Sequence, residues 1–274
     1  MSGTWLQAAV APAIALLVVW RGTRAITTTF LAAWQVRFDV EVAPTHEAFV
    51  CGRLRRARST RAVMAAIGVL VAGLPSYMNL IDAERSADFA NPLVGNAWIF
   101  GATLGALAAE IVVTQRPARR VASTLVRRPS DYVDPVWVRW VALAVPVTTA
   151  LAVTSTAFET WRWWYAWIGV GGALVAVGAL VLGLRAITDR AALAPGGELR
   201  GADEALRADG AHHLTGAAVA LAGTSVALAV PEVITGWWAL IALPVSLTGL
   251  FVLGMWWTLA RDSPWSVARA RTHA

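Results

Sequence analysis

Lysine is absent from this chain, and all 23 of its basic residues are arginine. Without lysine there is no P-loop lysine to hold nucleotide phosphates, no Schiff-base amine and no serine–lysine pair. The chain therefore cannot itself be a standard P-loop ATPase. It also has a single cysteine, Cys51, which excludes internal disulfides and metal sites built from several cysteines.

Histidine is scarce as well, with four residues in the chain. The stretch "HEAFV" begins like a zinc-protease motif, but it lacks the second histidine that such a site needs four residues after the first. His212 and His213 are adjacent, so on a helix they point about 100° apart and cannot ligate one metal from one face. We therefore assign no metal-binding residue.

Three acidic residues precede a long apolar run in "ADEALRADGAHHLTG": Asp203, Glu204 and Asp209. The stretch invites comparison with membrane alcohol-phosphotransferases, which carry two aspartates three residues apart, a glycine beside the second, and then Ala-Arg. Here a leucine stands three residues before Asp209, and no Ala-Arg follows Gly210. The sequence therefore assigns no catalytic residue, and it calls for no cofactor.

Charge is low throughout: 15% of the residues are charged and 57% are hydrophobic, with a mean hydropathy of +0.58. Soluble chains average about 25% charged and about 45–50% apolar residues. The apolar residues form runs of the length that a membrane-spanning helix needs, and they do not alternate as barrel strands do. We predict an all-α, polytopic transmembrane bundle in one domain, 1–274. Its seven spans, or six if the first is interfacial, are 5–20, 62–81, 94–114, 138–158, 164–184, 212–230 and 236–260.

The arginines predict the orientation. Twenty-one of them lie on one side of this topology, in the loops 21–61, 115–137 and 185–211, at Arg139, and in the tail 261–274; only Arg85 and Arg162 lie on the other. By the positive-inside rule the arginine-rich side is cytoplasmic, the N-terminus outside and the C-terminus inside. Anionic lipid headgroups explain the basic sequence without a nucleic-acid partner. The alternation of long inner loops with short outer turns also fits a threefold hairpin repeat, or simply any hairpin bundle.

The third span, 94–114, carries two distinct faces. Gly101 and Gly105 are four residues apart on one face, which lets another helix approach closely. Nearly opposite lies a polar line along the span, formed by Asn96, Thr103, Glu110 and Thr114. A helix with both features belongs at the centre of the bundle, with little lipid contact.

Glu110 is the residue of this line that most needs an explanation, because a carboxylate inside a membrane span is costly. One interpretation is that it reaches toward the arginines that follow the span. However, Arg116 is six residues away and out of local pairing register. We therefore predict that Glu110 faces the bundle interior and contacts a residue of another helix, with Arg139, His212 and His213 as possible partners.

Two stretches, "AEIVVTQRPARRVASTLVRRPSDYVDP" and "DEALRADGAHHLTGAAVALA", resemble segments of uncharacterised polytopic membrane proteins of high-GC Gram-positive (actinobacterial) bacteria. The resemblance covers about a third of the chain. It implies a multi-pass protein of a bacterial plasma membrane, and no chemistry comes with it.

Two functions are compatible with these features. The first is a transport component, a permease-like or accessory membrane subunit that forms homo- or hetero-oligomers and works with a separate cytoplasmic ATPase. The second is a membrane-embedded enzyme or a scaffold subunit of a cell-envelope assembly. The absence of a clustered set of acids, histidines or arginines in the sequence favours the first, and proline-broken, Ser/Thr-rich spans such as "VPVTTALAVTSTAF" are compatible with it.

Overall fold

The computed structural model describes residues 2–81, 92–114, 127–157, 163–189 and 199–229. Every regular element in these residues is helical, which confirms the predicted all-α class for this part of the chain. The seven α-helices are α1 (Ser2–Thr23), α2 (Thr28–Phe38), α3 (Pro44–Ile81), α4 (Pro92–Thr114), α5 (Pro135–Ala157), α6 (Trp163–Asp189) and α7 (Arg200–Ala229). The predicted span 236–260 and the tail 261–274 lie outside the described residues, as does most of the predicted loop 115–137.

Local sequence explains where several helices begin. Proline is the first residue of α3, α4 and α5, the position at which its missing N–H costs no hydrogen bond. Asp134 precedes α5 and accepts a hydrogen bond from the Val136 N–H at 2.9 Å. Thr27 caps α2 in the same way, and α2 ends at Asp39, whose φ of 48° is left-handed. These caps satisfy backbone groups that a helix leaves unpaired at its ends.

Two described helices are long and apolar enough to cross a membrane: Pro135–Ala157, and Ala166–Asp189 within α6. They coincide with the predicted spans 138–158 and 164–184. Phe100–Val113 within α4 is a shorter apolar segment. The predicted spans 5–20, 62–81 and 212–230 fall on α1, the second half of α3 and the second half of α7.

Three helices run well beyond the predicted spans. Helix α3 has 38 residues, so it is about 57 Å long at 1.5 Å per residue, roughly twice the hydrocarbon thickness of a bilayer. Helix α7 has 30 residues and α6 has 27. The segments predicted as loops 21–61 and 185–211 are thus largely helical, because the first half of α3, all of α2 and the start of α7 fall within them.

Small residues bring the helices close together in the apolar half of the bundle. A Cβ on Gly68 of α3 would overlap the Gly101 carbonyl of α4, and one on Gly105 would overlap the Met64 carbonyl of α3. The glycine pair in α4 therefore packs against α3. Helices α6 and α7 meet in the same manner, since a Cβ on Gly169 would lie 2.5 Å from the Ser225 carbonyl oxygen.

Candidate functional site

A group of ionisable side chains joins three helices at one end of the bundle. Arg61 of α3 binds both carboxylate oxygens of Glu110 on α4, with Nη2 3.1 Å from Oε2 and Nε in contact with Oε1. Its Nη1 donates to Oδ2 of Asp209 on α7 at 3.2 Å. His213, one turn further along α7, places Nε2 3.8 Å from the other oxygen of Asp209. We call these four residues the Arg61 cluster.

The Arg61 cluster is nearly closed to solvent. The side chain of Glu110 is 2% exposed, that of Asp209 8% and that of Arg61 16%. Burial by itself disfavours a charged guanidinium, but the two facing carboxylates outweigh it and raise the pKa of Arg61 above its ordinary value. Arg61 is therefore always charged, and it offsets the cost of two carboxylates that are buried together.

The antiparallel packing of α3 and α4 explains why Arg61 reaches Glu110. The two helices touch where Gly68 meets the Gly101–Gly105 segment. Arg61 lies seven residues before Gly68, and Glu110 lies seven residues after Thr103. Seven residues are about 10 Å along either helix, so the antiparallel arrangement brings Arg61 and Glu110 to the same height in the bundle.

A second group anchors the segment before α5 onto α7. Arg127 donates from Nε to Oε1 of Glu204 at 2.8 Å, and the Tyr132 hydroxyl donates to Oε2 of the same carboxylate at 2.5 Å. A short 3-10 turn, Pro129–Asp131, carries the chain between them. His212 donates from Nε2 to the Tyr132 carbonyl at 2.9 Å. Burial, with the bond to Glu204 adding to it, raises the pKa of Tyr132 above its usual value.

A third group joins the end of α6 to α7. Arg207 is fully buried and donates to Oδ2 of Asp203 from both Nε and Nη2 at 3.1 Å. Its Nη1 donates to the Ile187 carbonyl at 2.5 Å. The last carbonyls of a helix lack intrahelical partners and carry partial negative charge, so a cation there is favourable. Arg207 is thus a C-terminal cap for α6 that is supplied by α7.

The structure gives Glu110 a partner that the sequence analysis did not name. Arg61 fills the role predicted for Arg139, His212 or His213. Arg139 is exposed on the first turns of α5, and His212 is bonded to Tyr132 and stacked on Phe38. His213 lies next to Asp209 and so reaches Arg61 only through that carboxylate.

The remaining predicted residues are placed as follows. Thr103 is fully buried, and its hydroxyl donates to the Phe100 carbonyl at 2.9 Å. It lies on α4 two turns from Glu110, and α4 packs against α3, α6 and α7. The side chains of Asn96 and Thr114 lie outside the described part of the chain. The described residues contain no group of three or more histidine, cysteine or acidic side chains that could hold a metal ion.

Sequence reasoning missed Arg61, Tyr132, Glu204 and Arg207 as structural partners. One signal was available: Asp203 and Arg207 are four residues apart on one helix, the spacing of a local ion pair. Comparison with protein-family models, curated proteins and solved structures finds no match to this chain. Function must therefore be argued from these residues alone.

Proposed function

We propose that this protein is a multi-pass component of a transport system in a bacterial plasma membrane, permease-like or accessory, and that the Arg61 cluster closes its arginine-rich end. The observation that carries the proposal is the bridge from Arg61 to both Glu110 and Asp209. It ties three helices together at one end of a bundle whose outer surface is apolar. In the predicted orientation that end is cytoplasmic.

The outer surface supports a membrane environment. Large apolar side chains are exposed on six helices, among them Leu16, Leu17, Leu70, Val71, Leu143, Val153, Leu174 and Leu182. Large exposed apolar patches are rare on soluble monomers and mark surfaces that contact protein or membrane. The core helix of a soluble protein is mostly buried, whereas only 22% of the apolar window in α5 and 50% of that in α6 is buried inside the bundle.

The position of the Arg61 cluster supports a closing role. Thr103 lies about 10 Å from Glu110 along α4, toward the other end of the bundle. An aqueous path along this polar line would have to pass the ion pairs, and a small shift between the helices would break them. Transporters commonly alternate access by rocking one group of helices against another, and bistable interfaces of this kind undergo such motions.

The second candidate is an enzyme or scaffold subunit of an envelope assembly. Such an enzyme needs acids, arginines or histidines gathered at one membrane face, and the arginine-rich end does gather them. This gathering of side chains supports an enzyme or scaffold subunit more than any pattern in the sequence does. However, Arg207 and Glu204 are engaged by protein partners on several atoms, which suits a scaffold better than a catalyst.

Thiol accessibility tests the closing role directly. The native cysteine is first replaced by Cys51→Ser, and Thr103→Cys then places a small thiol behind the cluster. In inside-out vesicles we expect the thiol to react slowly with a charged maleimide. Adding Glu110→Gln should speed the reaction about tenfold for each 1.4 kcal/mol by which the closed state is weakened. Thr148→Cys, buried on α5 and bonded to its own helix, is the matched control and should stay unreactive.

Two further results decide between the candidates. An unchanged rate at Thr103→Cys in a correctly folded Glu110→Gln protein would show that the cluster does not close a path. Copurification in mild detergent identifies the assembly: a stoichiometric ATPase whose turnover rises in the complex supports transport, and an envelope-assembly enzyme supports the alternative.

A further inference from the structure

Helix α2 has two apolar faces and only one of them is covered by protein. Leu31, Trp34 and Phe38 point inward and are buried in the main core. The outward face is solvent-accessible, and it exposes Phe30, Ala32, Ala33 and Val36 together with Thr28 and Thr29 of the first turn. Val36 is 81% exposed. A helix that is apolar on both sides needs an apolar environment on each.

The end of α1 indicates the depth at which α2 lies. Leu16 and Leu17 are exposed, Trp20 follows them, and Arg21 and Arg24 come next. The Arg24 guanidinium lies 3.7 Å above the centre of the Trp20 ring. Tryptophan and arginine in this order are typical of the boundary between hydrocarbon and headgroups. Because α2 begins four residues after Arg24, its first turn lies close to the same boundary.

Arg58 of α3 holds α2 at this depth. It donates from Nη2 to the Arg21 carbonyl at 2.6 Å, and its guanidinium lies 5.6 Å from the centre of the Phe30 ring. The end of α1, the start of α2 and α3 thus meet at one arginine. With 11 residues α2 is about 16 Å long, too short to cross a hydrocarbon layer of about 30 Å.

The charge at the start of α2 has one sign. No acidic residue occurs before Asp39, while Arg21, Arg24 and Arg37 lie in the same stretch and Arg58 packs against it. A second copy of this face would place arginines against arginines, because a twofold interface pairs identical surfaces. Anionic headgroups above an acyl layer match both the charge and the apolar face.

We propose that α2 is an interfacial helix that lies in the plane of the membrane surface. Its outward face enters the boundary between headgroups and acyl chains, and Arg21 and Arg24 bind the phosphates of anionic phospholipids. This inference rests on the membrane placement proposed above, and it adds a specific lipid-binding surface to it.

Site-directed fluorescence tests the depth of α2. In the Cys51→Ser background, Val36→Cys is labelled with an environment-sensitive dye in nanodiscs made from phosphatidylcholine and phosphatidylglycerol. We expect strong quenching by a lipid that carries a nitroxide near its headgroup, and weak quenching by iodide. Glu41→Cys, exposed beyond the end of α2, is the control and should show the opposite pattern.

A third label separates failure of this inference from failure of the membrane placement. Leu174→Cys lies on the exposed face of α6, and a deep nitroxide should quench it. If that label is quenched while the Val36 label responds to iodide, α2 is not interfacial although the bundle is in the membrane. If both labels respond to iodide, the membrane placement fails as well. A Val36 label that neither quencher reaches would mean that protein covers this face, which also overturns the inference.

Lipid selectivity tests the role of the arginines. Quenching of the Val36 label by spin-labelled phosphatidylglycerol is compared with quenching by spin-labelled phosphatidylcholine. Arg21→Gln and Arg24→Gln should each lower the preference for the anionic lipid about fivefold. Arg200→Gln, exposed at the start of α7, is the matched control and should leave it unchanged. An equal preference in all these proteins would exclude headgroup binding by Arg21 and Arg24.

Discussion

The two ends of the helix bundle are held together in different ways. At the arginine-rich end, ion pairs of Arg61 join α3 to α4 and α7, and buried Arg207 of α7 donates to a carbonyl at the end of α6. In the apolar half, α3 approaches α4 and α6 approaches α7 through glycines. The difference follows from the surroundings. In the membrane placement proposed above, apolar side chains would gain little by leaving lipid for protein, so close packing of small residues would have to supply the attraction there.

At the charged end, burial is costly unless each charge is paired. Removing one member of a buried ion pair leaves the other buried without its partner. Substitutions at these contacts should therefore destabilise both halves of the bundle, but for different reasons. In the apolar half the cause is steric overlap, and at the charged end it is a buried charge that has lost its partner. Substitutions that target each mechanism separately test this comparison.

The largest effect should come from Arg207. Arg207→Ala leaves the Asp203 carboxylate and the last carbonyls of α6 buried without their donor, so we expect a loss of about 3–5 kcal/mol in stability. Thermal unfolding in detergent, followed by circular dichroism, measures it. Arg200→Ala on the same helix is exposed and should change the melting temperature little. Equal melting of the two variants would mean that the charged end does not depend on its ion pairs.

Two glycine substitutions test the apolar half of the bundle, and their expected effects on stability are opposite in sign. A Cβ on Gly105 would overlap the backbone of α3, whereas a Cβ on Gly178 of α6 meets no atom within 4 Å. Gly105→Ala should therefore cost about 1–3 kcal/mol through overpacking. Gly178→Ala should stabilise α6 by about 0.5–1 kcal/mol, because alanine favours helix. Stabilisation by both substitutions would show that α3 and α4 do not pack closely at Gly105.

Glu110→Gln tests the centre of the charged end and should have an intermediate effect. The substitution keeps the shape and removes one charge, while Arg61 retains Asp209, so we expect a loss of about 1–3 kcal/mol. Thr103→Ser, at the neighbouring buried position of α4, is the control. Folded protein with unchanged thermal stability would show that the Glu110 charge contributes nothing to closure.

The smallest effect should come from Tyr132→Phe, at about 1 kcal/mol, because Glu204 keeps Arg127 as a partner. The raised pKa of Tyr132 adds a pH dependence. Its contribution is fully present below the unfolded value of 10.0 and is lost as pH rises beyond it. The chain has no lysine and only three tyrosines, so few other side chains titrate there. Urea unfolding between pH 8 and 11 should show the two proteins converging, and a constant difference would contradict the assignment.

The features that could be predicted from the sequence are those that depend only on residues within one segment. Runs of apolar residues are read within a single segment, and they predicted the helices at 138–158 and 164–184. The glycine pair in α4 indicated a close-packing face, because small residues four apart have that consequence wherever the helix lies. The interior position of Glu110 was likewise predicted from local register, because Arg116 lies six residues further on and cannot pair with it on the same helix.

The partners of these residues were decided by tertiary structure. Arg61 is separated from Glu110 by 49 residues and from Asp209 by 148, and no local pattern states which helices become neighbours. The first half of α3 and the start of α7 lie within the predicted loops 21–61 and 185–211, and their sequences do not state which charges they bring together. By itself the sequence determined which segments are helical and which faces are small or polar, since those depend on short-range periodicity. Only the packing of α3, α4 and α7 decided which charges meet, because an ion pair depends on distance in space and not on separation along the chain.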